Sequence, residues 1–109
     1  MSVYEIIAEP KRRDILDLLL QRPHLVGELV DKLGISQPNV SKHLRVLRRA
    51  GLVQARQDAQ RRWYALQPEP LEEIDQWLAG YRQIWDARFE RLDDYLVQHQ
   101  SKEKHDDHE

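Results

Sequence analysis

The chain of 109 residues contains no cysteine, and three kinds of chemistry go with that absence. There can be no disulfide framework, no thiolate metal site and no thiol switch, and such a composition suits a reducing compartment. Long apolar runs are missing too. Nothing approaches the roughly 18 consecutive apolar residues of a membrane span, and Met1 to Pro10 lacks the basic-then-apolar layout of a secretory leader, so a cytoplasmic protein with no membrane partner is expected. No phosphate-cradling glycine loop, no Ser/His/Asp set and no pair of carboxylates in a recognisable frame can be assembled, which argues against an enzyme and against a bound cofactor. At this length one small domain is expected.

Charge of one sign is absent only on average. The formal net charge is −2, yet residues 1–66 carry +5 and residues 67–109 carry −7. Between Ser36 and Leu66 the single acid Asp58 stands against Lys42, Arg45, Arg48, Arg49, Arg56, Arg61 and Arg62, a net +6. A basic segment in an otherwise acidic chain points to a polyanionic partner.

Apolar spacing organises the rest into a mainly α fold with one small β-hairpin. Ile15, Leu18 and Leu19 after Pro10 predict a helix over Pro10 to Gln21, ended by Pro23. Leu29, Val30 and Leu33 predict a short helix over Val26 to Leu33, with Gly34 just past its end. Ser36 is a suitable N-cap, and Val40, Leu44 and Leu47 fall on one face of a helix over Gln37 to Ala50 that Gly51 stops. Val53 to Arg56 and Arg62 to Leu66 read as two strands around Asp58-Ala59-Gln60, with His24 a turn residue before them. After Pro68 and Pro70 an amphipathic helix is expected from Leu71 to Leu96, about 39 Å long. These elements form a domain over residues 1–97. Residues 98–109 have no apolar pattern and are expected to be a disordered polar tail, in which His105, His108 and Glu109 could bind metal only adventitiously.

Two short helices joined by a tight turn and followed by a basic hairpin form a helix-turn-helix with a wing, the arrangement that places a second helix in the major groove of DNA. With Val40, Leu44 and Leu47 turned inward, Ser36, Gln37, Asn39, Ser41, Lys42 and Arg45 remain to meet base edges or phosphates, and His43 is assigned to the groove edge. Arg61 and Arg62 near the hairpin tip suit phosphate or minor-groove contact. Trp63 and Tyr64 point to opposite faces of their strand, so at least one belongs to the core. The long last helix, through Leu78, Tyr81, Trp85 and Phe89, has more apolar surface than so small a domain covers, and with the N-terminal Val3, Ile6 and Ile7 it is expected to build a homodimer.

The run from Ser36 to Val53, with Ala8-Glu9-Pro10-Lys11-Arg12-Arg13-Asp14-Ile15-Leu16 upstream and the strand ending Tyr64-Ala65-Leu66 downstream, resembles the ArsR-type transcriptional regulators over some two-thirds of the chain. The resemblance implies a winged-helix homodimer that represses by occupying a palindromic operator in double-stranded DNA. It places the DNA-reading surface on Gln37, Asn39, Ser41, Lys42 and His43, with Arg61 and Arg62 on the wing. The chain departs from the pattern in sensing. The cysteine pair that many relatives carry before the turn aligns with Leu25 and Gly27, and the last helix has no histidine before His99, so no metal site and no inducer is implied. The hairpin tip also lacks the family's usual glycine, which leaves its turn type open. Two other readings stay open: a winged-helix module that binds protein instead of DNA, and a repressor sensing metal through His, Asp and Glu.

Overall fold

The computed structural model describes the backbone of residues 1–107 and the side chains of residues 1–98. The chain divides into two compact units, Met1–Ile74 and Asp75–Glu109.

The first unit opens with a helix that the apolar spacing does not announce. Helix α1 (Val3–Ala8) starts on a capping box: the Ser2 hydroxyl accepts from the Glu5 amide at 3.3 Å, and the Glu5 carboxylate accepts from the Ser2 amide at 3.5 Å. Its far end is closed by arginines of helix α2 (Pro10–Gln21): Arg12 donates to the Ile6 carbonyl at 3.2 Å, and Arg13 to those of Ile7 and Ala8 at 2.7 and 3.2 Å. Cations at a helix C-terminus satisfy its free carbonyls and oppose its dipole. Two of the basic residues in the +5 of residues 1–66 therefore serve the fold.

Helix α3 (Val26–Leu33) ends at Gly34, whose φ of +67° suits a residue without Cβ and whose amide donates to the Val30 carbonyl at 2.9 Å. The chain then turns directly into helix α4 (Gln37–Arg49), where the Ser36 hydroxyl accepts from the Asn39 amide at 3.3 Å. Val40, Leu44 and Leu47 of α4 join Ile15, Leu16 and Leu19 of α2 and Leu29 of α3 in the core, which Leu52, Val53 and the α1 residues Val3 and Ile6 complete.

Strands β2 (Val53–Asp58) and β3 (Arg61–Leu66) form the hairpin, with Asp58 opposite Arg61. Ala59 takes a positive φ of 55°, the only such residue besides glycine among those described. Positive φ at the first loop position alone is the sign pattern of a type II′ turn, made here without glycine. A third strand, β1 (His24–Leu25), pairs antiparallel with the other edge of β3, giving the order β1-β3-β2. His24 is thus an interior strand residue with no exposed surface, and not a turn residue.

A short 3₁₀ turn (Glu69–Leu71) leads into helix α5 (Glu72–Asp107). Its backbone is helical beyond Val97, where the polar tail was expected to begin; the side chains of the tail histidines lie outside the described residues. The second unit is this helix from Asp75 onward. Along it Trp77 meets Tyr81 edge to face, with ring centroids 5.3 Å apart, and Tyr81 stands 6.3 Å from Trp85. No helix among the described residues is long and apolar enough to cross a membrane.

Candidate nucleic-acid interface

Burial of Val40, Leu44 and Leu47 turns the opposite side of α4 outward, so Gln37, Asn39, Lys42, Arg45 and Arg48 are exposed and Ser41 is half-buried. Ser36 is spent as the cap, but the helix N-terminus it opens still carries the amides and partial positive charge that favour a phosphate.

The hairpin contributes the rest. Side chains alternate along β3, so Arg62 and Tyr64 share one face while Arg61, Trp63 and Ala65 share the other. The Arg62 face meets α4: Ser41, Arg45 and Arg48 of the helix and Arg62 and Tyr64 of the wing line one shallow cleft of about 250 Å³. Arg62 lies over the Tyr64 ring, 5.8 Å from its centroid. Three guanidinium groups with no acidic side chain in their lining form a concave cationic surface shared by helix and wing.

Of the residues expected at this surface, Ser41, Arg45 and Arg62 line the cleft, while Gln37, Asn39 and Lys42 are exposed on α4 outside its lining. Arg61 is exposed near the wing tip but belongs to the other face of β3. His43 is not among the residues that line the cleft. It is half-buried, its Nδ1 is buried without a hydrogen-bond partner, and burial, with Arg12 and Lys42 nearby and Glu9 opposing them, holds its pKa below the ordinary value of 6.5. Arg48 and Tyr64 are the members that the spacing argument left out. Arg48 could have been found, since it stands three residues after Arg45 and seven after Ser41 on one helical stripe.

The residues expected at a dimer contact divide as well. Val3 and Ile6 are 8% and 2% exposed inside their own unit, so they are core residues and not a free surface. Leu78 is half-buried, whereas Tyr81, Trp85 and Phe89 are 47%, 43% and 64% exposed.

His24 sits on β1 beside the wing. Its Nδ1 lies 2.8 Å from the Arg22 carbonyl and its Nε2 2.9 Å from Lys32 Nζ. A carbonyl can only accept and an ammonium only donate, so the ring is the neutral Nδ1–H tautomer. Nearby, Arg22 pairs with Glu28 at 2.5 Å, and that bond, with the Leu25 amide, brings the Glu28 carboxyl down to about 2. Among the described residues no three His, Asp or Glu side chains gather as metal ligands.

Comparison with known proteins agrees with this geometry. The family described as "Bacterial regulatory protein, arsR family" matches residues 9–55, from the start of α2 into β2. The transcriptional repressor SdpR of Bacillus subtilis is 30% identical over 80 residues, which cover 73% of this chain and 89% of SdpR. The HTH-type transcriptional regulator Rv2034 of Mycobacterium tuberculosis is 38% identical over 92 residues, 77% of this chain and 86% of the relative. The chain belongs to the ArsR family. Among solved structures, M. tuberculosis Rv0081 superposes with a TM-score of 0.59 at 34% identity, covering 78% of this chain and 87% of that one. As an ArsR-family member the chain is a DNA-binding transcriptional regulator and not an enzyme. The family match takes in α4 but stops before Arg61 and Arg62, so those wing residues rest on the geometry of this chain.

Proposed function

We propose that the protein is a homodimeric repressor that occupies an inverted-repeat operator, with α4 of each protomer in the major groove and the wing on the flanking backbone. The observation that carries this reading is the single cleft in which Arg45 and Arg48 of α4 meet Arg62 of the wing. Such a surface follows one phosphate strand while the start of α4 addresses the bases beside it. Gln37 and Asn39, exposed at the first turn, read base edges; Ser41, Lys42, Arg45, Arg48 and Arg62 hold phosphates; Arg61 extends the contact at the wing tip.

The dimer is built by the exposed apolar row of α5, in which Tyr81, Trp85 and Phe89 recur at four-residue spacing. A two-fold axis is the usual way for one such surface to cover itself. The protein works in the cytoplasm beside its DNA. Its operator affinity does not respond to zinc, cadmium or arsenite through thiolates, since the chain has none.

Selection of bound fragments from genomic DNA tests the reading. One inverted repeat with half-sites about a helical turn apart is the expected enrichment, and recovery of fragments without a shared sequence would contradict it.

A further inference from the structure

The wing has a second concave face. Arg62 and Tyr64 turn toward α4, but Trp63 and Ala65, the residues that alternate with them, turn the other way, and Arg56 faces Trp63 directly across the ladder. Together with Arg22 and Pro23 from the link between α2 and β1, and with Asp58 near the tip, they line a cleft of about 550 Å³. That is within the range of small-molecule sites, roughly 300–1,000 Å³.

The chemistry of the lining defines an occupant. Trp63, Pro23 and Ala65 make apolar walls, and a flat indole surface favours a planar ring system. The rim carries two guanidinium groups against one carboxylate. Arg22 is already committed to Glu28 at 2.5 Å. Arg56 has no carboxylate within 4.0 Å among the described residues, and its guanidinium meets only the neutral amide oxygen of Gln54, at 2.7 and 3.1 Å with the amide turned to present it. A ligand carboxylate would give that guanidinium an anionic partner in the fork geometry that arginine favours.

We propose that this cleft on the back of the wing binds a small planar molecule bearing one carboxylate, and that its occupancy changes DNA affinity through strand β3. The coupling element is short and physical: Trp63 stands between Arg62 and Tyr64 in the same strand, so a shift of Trp63 toward or away from a ligand carries the two residues that complete the α4 cleft. By linkage, DNA must change the ligand's affinity by the same factor. Binding at the cleft stands by itself, whereas the coupling rests on the operator-binding reading above.

The test uses the full chain, labelled with ¹⁵N and titrated with indole-3-carboxylate or with its uncharged counterpart indole-3-carboxamide. Saturable shifts are expected at the Trp63 indole N–H and at the amides of Arg56, Gln57 and Ala65. The carboxylate should bind at least about fivefold more tightly than the amide, and Arg56→Gln should level the two while leaving the remaining spectrum in place. No saturable shift at these residues, or equal affinity for both compounds in the unmodified chain, overturns the site. Operator affinity, measured by fluorescence anisotropy with the cleft saturated by indole-3-carboxylate, should change about fivefold or more; an unchanged affinity at full occupancy overturns the coupling. If compound-free protein selects no operator at all, the operator reading fails instead, and the titration alone decides the cleft.

Discussion

Arg62 on the wing is held over the ring of Tyr64, its guanidinium carbon 5.8 Å from the ring centroid, where the ring face is attractive to a cation. Tyr64 is half-buried and packs on the core, so the pair ties a long, otherwise mobile cation to the rigid part of the first unit. An arginine restrained in this way has less freedom to lose when it meets a phosphate.

Reading and holding should therefore fail differently. Arg62→Ala should weaken binding to operator and random DNA alike and flatten the salt dependence by about one unit, as expected when one phosphate contact is lost. Gln37→Ala, at the exposed first turn of α4, should cost about 1–3 kcal/mol on the preferred operator and little on random DNA. Titrations of both DNAs at several salt concentrations separate the two patterns. Equal losses from Gln37→Ala on both DNAs would remove it from base reading.

The hairpin tip should be improvable. Ala59 occupies positive φ, which costs a residue with a side chain roughly 1 kcal/mol or more, while glycine gains unfolded-state entropy of somewhat smaller size. Ala59→Gly should thus stabilise the protein by about 0.5 kcal/mol, read as a higher midpoint in thermal unfolding. A lower midpoint would show that the turn is not strained.

Acidification should destabilise the fold through buried His24 and half-buried His43. Burial, with the charges of Arg22 and Lys32, keeps the His24 pKa below its ordinary 6.5 despite the Arg22 carbonyl and Glu28, and His43 is shifted the same way. As pH falls through about 6.5 the unfolded chain takes up these protons first, so stability is fully present above that value and is lost below it. The Glu28 carboxyl, at about 2, makes its contribution disappear only between its ordinary 4.5 and 2, outside this window. Thermal unfolding at about pH 7.5 and pH 5.5 should show a lower midpoint in acid, and a smaller difference after His24→Asn. A midpoint that rises on acidification would contradict the assignment of His24 as a neutral ring.

The apolar row of α5 gives a sharp test of assembly. Trp85 is 43% exposed in the single chain, and in the proposed dimer it is covered. Trp85→Asp would bury an unpaired carboxylate at a cost of several kcal/mol, so the variant should sediment as a monomer with its helical circular dichroism retained. A dimer that survives the change would take this part of α5 out of the interface.

Much of the fold was legible because punctuation coincides with period. Pro10, Pro23, Gly34, Ser36 and Gly51 bracket the apolar stripes of α2, α3 and α4, and the helices end where those residues stand. Helix α1 was legible in principle from Ser2 and Glu5, whose capping box is a local signal, but six residues are too few to show a helical period. Strand β1 left no pattern at all. Its two residues become a strand because β3 offers a free edge there, a tertiary fact that spacing cannot express. The site divides along the same line. Gln37, Asn39, Lys42 and Arg45 followed from the inward stripe of α4, but the placing of His43 depends on α2 packing beside it, some thirty residues away in sequence. Similarly, Arg12, Arg13 and Arg22 owe their roles to carbonyl and carboxylate partners that spacing does not name.

The central claim is that two copies of α4 read two half-sites on one face of DNA, and a spacing experiment addresses it most directly. The affinity for the selected operator is compared with that for the same DNA carrying five extra base pairs between the half-sites, about half a helical turn. The insertion rotates one half-site to the far side of the duplex, so a rigid two-fold dimer should lose at least about tenfold in affinity and be left near its random-DNA level. An affinity that ignores the insertion would contradict paired, in-phase recognition and the operator model with it.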